Sequence, residues 1–523
     1  MPGGLLNLVS YGNQNIMING NPTKTMFKTT YAKHTNFGLQ KFRIDYEGSK
    51  TLNITTNSHF DFKVPRYADL LMDTYLVVQL PDIWSPMKKV GNKYEPYEFK
   101  WIKNLGTQMI HRVRFTIGGQ VIQEYTGQYL TNMVERDFDD AKKKLYYNMT
   151  GNIAELNDPS NRDISLYKGN YPNAKSEDMP ATPEPSIKGR KLYIPLNIWF
   201  TLSSKMAFPL TALQYNELHI EIDLRPVKEL FVIKDANSVY RQPDFNNTEQ
   251  QFHIFIQPPI NDDLTYSNKK TDWNNDIHLI STYAFLTDEE AKVFSENSHD
   301  YLIKEVYHHD IHNITGPQRS KIETNGLVSN FMWYFQRSDV NERNEWSNYT
   351  NWQFDLIPND IILNGTMKDT NDKDIYTTGV YDAENEKTIL KTLGIVFDGK
   401  YRENPLDEGV FNYIEKYTRT SGNAPDGLYF YNFGIKTNPV DIQPTGGVNL
   451  SKFKNIEFEW SVNTPPQSNK LQISEIYNEN DVVIGTVKDL YNLYKYSYSL
   501  TIFEERYNIL TFMSGSANLK YAR

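Results

Sequence analysis

The residue run best suited to chemistry is His308–His309–Asp310–Ile311–His312. On an extended strand, side chains alternate between faces, so His308, Asp310 and His312 would share one face. Two imidazoles and a carboxylate at that spacing could hold a divalent metal. The plainer reading is a polar strand face, with His309 pointing the other way. Other candidates fall short. Gly394–Lys400 has the outline Gly-x-x-x-x-Gly-Lys of a phosphate-cradling loop, but Tyr401 stands where a magnesium-binding hydroxyl is needed, and no helical pattern follows. Asp369, Asn371 and Lys373 imitate the start of a calcium loop; a lysine at the third ligand position and no acid at the twelfth defeat it. Neither His-Glu-x-x-His nor Gly-x-Ser-x-Gly occurs. The adjacent acids Glu289–Glu290 and Glu504–Glu505 would point to opposite faces of a strand, a poor arrangement for paired acid and base. No catalytic residue and no cofactor is expected, and a metal rests on His308, Asp310 and His312 alone.

The elements that would carry these residues are strands. The chain has 523 residues, a formal charge of −9, no cysteine, 39% hydrophobic and 14% aromatic residues, with 36 Tyr and 27 Phe. Tyr, Phe, Ile and Thr suit pleated, half-buried surfaces, and the abundant Asn, Asp and Gly suit turns, so the composition predicts an all-β protein with long polar loops. The length predicts more than one domain. The lack of cysteine excludes disulfides, thiolate metal sites and a cysteine nucleophile. The acidic balance argues against direct nucleic-acid binding. No apolar run approaches the roughly 20 residues of a membrane-crossing helix. Met1–Leu8 lacks the basic start and apolar stretch of a signal peptide, so synthesis in the cytosol is expected. The sequons at Asn53, Asn148, Asn246, Asn313, Asn348, Asn364 and Asn449 fit the chance yield of an Asn-rich chain.

Alternating segments occur at Phe42–Tyr46, Thr74–Leu80, Val113–Ile117, Leu218–Leu224, Phe252–Ile256 and Phe331–Phe335. Helices are expected at Asn132–Tyr147, Asp288–Asn297 and Val487–Lys495. Three stretches read as loop insertions: Thr150–Arg190, Lys234–Gln250 and Lys368–Lys387. The order of parts recurs. Leu192–Tyr193 and Leu428–Tyr429 each open an aromatic strand, and each is followed at the same interval by Ile220–Glu221–Ile222 or Ile456–Glu457–Phe458. A hairpin signal precedes each, Ile117–Gly118–Gly119 and Leu363–Asn364–Gly365. A closing strand ends each half, Ser281–Leu286 and Tyr507–Phe512. Two similar β-domains are therefore expected, with a boundary between about 287 and 302.

Particular strings add a resemblance. The chain opens Gly3–Gly4–Leu5, Leu8–Val9, Tyr11–Gly12, Gly20–Asn21–Pro22, Thr25, Phe27, Tyr31 and Thr35–Asn36–Phe37. It continues with Gly118–Gly119, Ile194–Pro195–Leu196, Trp199–Phe200, Pro209–Leu210–Thr211–Ala212–Leu213–Gln214–Tyr215, Tyr283–Ala284–Phe285–Leu286 and Glu289–Glu290. Then follow Leu363–Asn364–Gly365, Gln443–Pro444–Thr445–Gly446–Gly447, Asn449, Ser451 and Met513–Ser514–Gly515. In this order the strings resemble the major capsid proteins of nucleocytoplasmic large DNA viruses across nearly the whole chain.

The resemblance implies two consecutive eight-stranded jelly-roll sandwiches with long loop insertions and a few short helices. It implies a homotrimer with a pseudo-hexagonal outline that tiles an icosahedral shell, joins other trimers, and meets minor capsid and penton proteins. An inner viral membrane beneath the shell is a further implied partner, and the virion capsid, assembled in the host cytoplasm, the implied location. The expected division is an arm at 1–25, a first roll at 26–292 and a second at 293–523. The family strings, with Gly20, Asn21, Pro22, Gly118, Gly119, Pro195, Pro209, Gln214, Tyr215, Asn364, Gly365, Gln443, Pro444 and Gly446, read as fold determinants. Residues 1–50 carry six Lys or Arg against Asp45 and Glu47. Leu5, Leu8, Val9, Ile16 and Ile18 are apolar residues that Gly and Asn interrupt, so the arm is expected to form no helix of its own and to be buried only on assembly. Two other readings remain: a carbohydrate- or receptor-binding β-sandwich of the virion, and a β-sandwich glycoside hydrolase, which would need two facing carboxylates.

Overall fold

The computed structural model describes residues 2–90, 93–161, 171–172, 184–234, 240–258, 273, 275–353, 367–368, 374–375, 386–437, 439–440, 443–468, 473–477, 482–488 and 493–521. After the helical turn α1 (Gly3–Val9), the first half supplies strands β1 (Phe37–Asp45), β2 (Ser58–Lys63), β3 (Leu70–Gln79), β4 (Ile110–Ile117) and β5 (Gln120–Tyr125). Helices α2 (Gly127–Asp137) and α3 (Asp140–Thr150) follow, then β6 (Lys191–Pro195), β7 (Phe208–Pro209), β8 (Leu218–Leu224) and β9 (His278–Leu286). Helix α4 (Asp288–Glu296) leads to β10 (His299–Ile314), β11 (Gln318–Ile322), β12 (Leu327–Arg337), β13 (Leu390–Phe397) and β14 (Lys400–Asp407). A π-helical turn (Val410–Ile414) runs into α5 (Glu415–Arg419), followed by β15 (Leu428–Asn432), β16 (Val448–Asn449), β17 (Ile456–Val462), β18 (Tyr498–Met513) and β19 (Ser516–Leu519).

The two halves have one topology. In the first, β1-β9-β3 continues into β6 and β7, and this sheet faces β2-β8-β4-β5. In the second, β10-β18-β12 continues into β15 and β16, opposite β11-β17-β13-β14. Each half is a jelly roll, and the neighbouring pairs are antiparallel. Strict alternation explains the central strands: Leu218, Ile220, Ile222 and Leu224 point inward on β8, and Ile456, Phe458, Trp460 and Val462 do so on β17. Strand β12 differs, because it is buried on both faces. Phe331, Trp333 and Phe335 join the core of the second roll, while Met332 and Tyr334 join the core that extends from the first.

The hairpins β4–β5 and β13–β14 turn on two residues each, Gly118 (φ 57°) with Gly119 (φ 82°), and Asp398 (φ 46°) with Gly399 (φ 80°). Both are left-handed pairs, the type I′ geometry that matches strand twist. The second-half counterpart of Gly118–Gly119 is therefore Asp398–Gly399 and not Leu363–Asn364–Gly365; Asn364 and Gly365 lie outside the described residues. Nearly half of the expected insertion at Thr150–Arg190, most of that at Lys368–Lys387, and the calcium-like run from Asp369 lie outside them too.

Other local expectations change. Phe252–Phe255 is one helical turn, not a strand. That turn sets Phe252 against Phe231 (ring centroids 5.3 Å) and Phe255 against Phe99 (5.3 Å), contacts an alternating strand would have split between two faces. The expected helix Asn132–Tyr147 is two helices, because Phe138 turns into the core and the Asp139 carboxylate accepts from the Lys142 N–H at 2.8 Å, starting a new N-terminus. Val487 and Lys488 end a strand (Val483–Lys488) paired with Ile473–Tyr477, as the β-branched run favours. Gly3–Val9 and Ile16–Asn19 are short helices although no helix was expected in the arm; leucines favour helix locally, yet none of these residues is buried.

Phe458 is fully buried, with its ring edge-on to Phe331 at 5.2 Å. Phe458→Ala should destabilise the second roll by about 3–5 kcal/mol, read as a lower denaturation midpoint. Its neighbour Glu457 is bound to Arg319 on the open face, and Glu457→Gln should cost less than about 1 kcal/mol.

Candidate assembly interface

The two rolls meet through α2, which leaves β5 and lies against the outer face of the β10-β18-β12 sheet. Thr126 caps the helix by accepting from the Tyr129 N–H, and the buried side of the helix carries Tyr129, Met133 and Arg136. Tyr129 stacks edge-on against Phe503 of β18 at 5.5 Å. Beside it, Trp199 meets Tyr301 at 5.6 Å and Phe208 meets Phe512 at 5.2 Å. Gln123 on β5 donates from Nε2 to the Lys304 carbonyl on β10 at 3.0 Å.

A charged cluster sits inside this apolar joint. The Arg136 guanidinium, about 1% exposed, reaches Asp137 at 2.8 Å and Glu505 at 2.7 Å, and donates to Asn330 Oδ1 at 3.2 Å. Glu505 also accepts from the Tyr129 hydroxyl (3.0 Å) and Asn330 Nδ2 (2.9 Å), with Lys304 Nζ at 3.5 Å. Thr437 donates to Asp137 at 2.6 Å. Burial alone would push Glu505 up, but Arg136, Lys304 and the Asn330 hydrogen bond hold it down at about 2. Burial wins at Asp137, whose carboxyl is raised despite Arg136 and Thr437. Arg136 stays charged, because the two carboxylates outweigh its desolvation.

Among the strings singled out in the sequence, two come together at this joint. The backbone N–H groups of Gln214 and Tyr215 donate to the Gly515 carbonyl at 2.9 and 3.1 Å. Gly515 (φ 80°) has no room for a side chain, since a Cβ would lie 2.8 Å from the Tyr215 ring. Pro195 ends β6 and Pro209 ends β7, at sheet positions that need no backbone donor. Gly446 lies against Gly434, and the adjoining Thr445 hydroxyl donates to the Lys436 carbonyl at 2.8 Å, so the Gln443–Pro444 string folds back over the end of β15. Asn449 caps the turn Leu450–Lys452, and Ser451 accepts from the Gly326 N–H at 2.7 Å.

The expected chemistry does not converge. His308, Asp310 and His312 do share the exposed face of β10, but His312 bonds Ser499 and Asp310 accepts from Thr501, while His308 and Asp310 stand 3.9 Å apart. Among the described residues, no group of three His, Cys, Asp or Glu is arranged to hold a metal ion. His309 points the other way, to Glu504 at 3.1 Å. Glu504 and Glu505 face opposite sides of β18, Glu504 toward Arg506, His309 and Thr324, and Glu505 toward Arg136. Glu289 and Glu290 lie in α4 rather than a strand. Gly394–Lys400 is the end of β13 and its hairpin, with β14 rather than a helix after it. In the arm, Leu5, Leu8, Val9, Ile16 and Ile18 are all exposed. Asn21 turns at φ 47° between Gly20 and Pro22, beyond the helical turn Ile16–Asn19. The Arg136 cluster went unread in the sequence, though Glu504–Glu505–Arg506 inside an apolar strand was a signal: charges there must be paired across the fold.

The fold and joint define a class, the double jelly-roll structural proteins of virus capsids. Residues 25–256 match the family described as the major capsid protein N-terminus, and residues 290–518 match the large eukaryotic DNA virus major capsid protein. The chain is 23% identical over 581 residues to the major capsid protein of Phaeocystis pouchetii virus, and 24% identical over 524 residues to that of Paramecium bursaria Chlorella virus 1, each covering all of both chains. A quasi-atomic model of the latter's capsid superposes with a TM-score of 0.63 at 19% identity, over 95% of this chain and 100% of the other. The chain belongs to the major capsid proteins of nucleocytoplasmic large DNA viruses.

Removing Arg136 leaves the buried Asp137 without a counter-ion and the buried Glu505 with Lys304 alone. Arg136→Ala should cost about 3–5 kcal/mol in an equilibrium unfolding curve. The contribution of Glu505 is present above its ordinary value of 4.5 and is lost as the pH falls through about 2; Asp137, shifted up, acts in the opposite sense. The stability gap between the parent and Glu505→Gln, in which Asp137 is common to both, should therefore narrow as unfolding is measured at falling pH.

Proposed function

We propose that three copies of this chain form a pseudo-hexagonal capsomer, and that capsomers tile the icosahedral shell of a large double-stranded DNA virus assembled in the host cytoplasm, without catalysis by the chain. The observation that supports this most directly is the tandem repeat of one topology: two rolls side by side in each chain become six in a trimer. A sixfold outline suits close tiling, and a heterologous contact that closes into a ring builds it. In this reading residues 1–25 are an arm, 26–292 the first roll and 293–523 the second.

The arm supplies contacts between capsomers, minor capsid and penton proteins, or an inner membrane, for which the local excess of Lys and Arg is suited. Its hydrogen bonds run within the arm, as from Ser10 N–H to Leu6 and from Gly20 N–H to Ile16, and its apolar side chains are exposed. The family strings act through the fold, the Gln214–Tyr215 string by tying the rolls together. The net charge of −9 favours no direct contact with nucleic acid.

Light scattering of the purified chain should give roughly three times 61.0 kDa. A monomer at micromolar concentration would overturn the capsomer. Deleting residues 1–25 should leave the melting temperature of the trimer unchanged and sharply reduce particle yield. A large fall in melting temperature, or normal particles, would remove the assembly role of the arm.

A further inference from the structure

One half-buried amine of the second roll stands outside the Arg136 cluster. Lys416 lies in α5 and reaches back along the π-helical turn that precedes it. Its ammonium donates to Asn412 Oδ1 at 2.5 Å, to the Pro425 carbonyl at 2.8 Å and to the Ala424 carbonyl at 3.2 Å. All three acceptors are neutral, so the charge is drawn out of water without a carboxylate among them, which costs free energy. Burial accordingly pushes the amine down to about 8, and Lys143 adds to this, although Asp426 and Glu408 favour the charge. A free amine is therefore populated close to neutral pH, and a free amine is a nucleophile.

Asn412 is the electrophile that this geometry offers. It is fully buried in the middle of the π-helical turn, and such turns are rare and concentrate at functional sites. Nζ is 2.5 Å from Oδ1 and a C=O bond is about 1.23 Å long, so Nζ is no more than about 3.7 Å from Cγ, near the separation from which bond formation starts. The other end of the carboxamide meets acids: Asn412 Nδ2 donates to Glu408 Oε1 at 3.2 Å and to Asp426 Oδ1 at 3.3 Å. Burial raises the Glu408 carboxyl, and Asp407 and Asp426 raise it further. The amine is thus shifted toward its neutral form and the acid toward its protonated form, the states that acyl transfer to the amine requires. Glu408, Asn412 and Lys416 follow at four-residue intervals, along one face of the helical segment.

We propose that Lys416 and Asn412 join in an intramolecular isopeptide bond formed by the chain itself, with Glu408 as the proton carrier. This is a single self-modification, not turnover of a substrate. Nζ attacks Cγ; the Nζ–Cγ bond forms and the Cγ–Nδ2 bond breaks. Glu408 gives its proton to Nδ2, which leaves as ammonia, and takes one from the attacking nitrogen, so it ends as it began. The atoms balance without a further reactant. The product amide keeps one N–H for the Pro425 carbonyl, and the half-buried charge is gone. The bond fastens the helical segment beside the loop that meets the first roll, where the Gly422 N–H donates to the Arg136 carbonyl at 2.8 Å and Lys143 Nζ to the Asn423 carbonyl at 3.0 Å. The first roll carries an inert version. Gln123 pairs with Phe115 beside the irregularity of the first hairpin, as Glu403 pairs with Ile395 beside that of the second. Counted from these matched positions, α2 presents Gln128, Asn132 and Arg136: an amide in place of the acid, and a guanidinium that stays protonated in place of the amine.

Trypsin digestion of the denatured full chain, followed by mass spectrometry, reads the bond directly. An unlinked chain gives Glu403–Lys416 and Tyr417–Arg419 as separate peptides. The linked chain should resist cleavage at Lys416 and give Glu403–Arg419, lighter than its sequence by about 17 Da, the ammonia lost. A succinimide at Asn412 loses the same mass but leaves Lys416 cleavable. In the same digest Phe115–Arg136, which contains the inert version, should appear at its sequence mass. Lys416→Arg should abolish the mass loss, and Glu408→Gln should leave the chain unlinked while it still melts cooperatively. A parent that yields Glu403–Lys416 at its sequence mass, or a mass loss that persists in Lys416→Arg, would overturn the bond. A Glu408→Gln chain linked as fully as the parent would overturn the role of Glu408.

Discussion

A guanidinium can be buried at the centre of this molecule only because carboxylates from both rolls converge on it. Arg136 and Asp137 belong to the first roll, and Glu505, Asn330 and Lys304 to the second. Desolvating such charges costs several kcal/mol each, and their mutual attraction offsets this only where the geometry is satisfied on every side. An apolar joint of Tyr129, Phe503, Phe208 and Phe512 would tolerate sliding, whereas an ion cluster with fixed hydrogen bonds tolerates little. The relative setting of the rolls follows from this, and with it the burial of β12 on both faces.

The rest of the joint agrees with that constraint. The Gln214 and Tyr215 N–H groups bind the Gly515 carbonyl at a turn where only glycine fits. Two strings far apart in the chain are thereby one structural feature. The duplication extends to detail: the same strand order, the same left-handed hairpins, and irregularities at matching places in the register. A roll that can pack one neighbour by its β5 edge and α2 has, by repetition, the same elements available on its twin.

The polar face of β10 illustrates why spacing alone overstates chemistry. His308, Asp310 and His312 do fall on one face, as alternation requires, but each hydroxyl on the neighbouring strand β18 draws a different side chain sideways. Convergence on a metal needs a concave surface, and the outer face of an edge strand is not one.

Much of the architecture was legible without coordinates. Alternation along Leu218–Leu224 and Ile456–Val462 specifies strands with one buried face, because a pleated backbone leaves no other way to bury every second residue. The repeated order of parts specified a repeated fold, and specific strings carried the family. Where alternation was short, as at Phe252–Phe255, it could not distinguish a strand from one helical turn, and the aromatic wall of Phe99 and Phe231 decided. The partner of Gly118–Gly119 was misassigned because Asn-Gly and Asp-Gly are both good local hairpin signals, while only strand pairing tells which hairpin closes which sheet. The Arg136 cluster required the tertiary structure outright. Local sequence determines which backbone a segment prefers through forces that act within a few residues. The pairing of a buried charge on α2 with one on β18 is determined by which surfaces the folded rolls bring together.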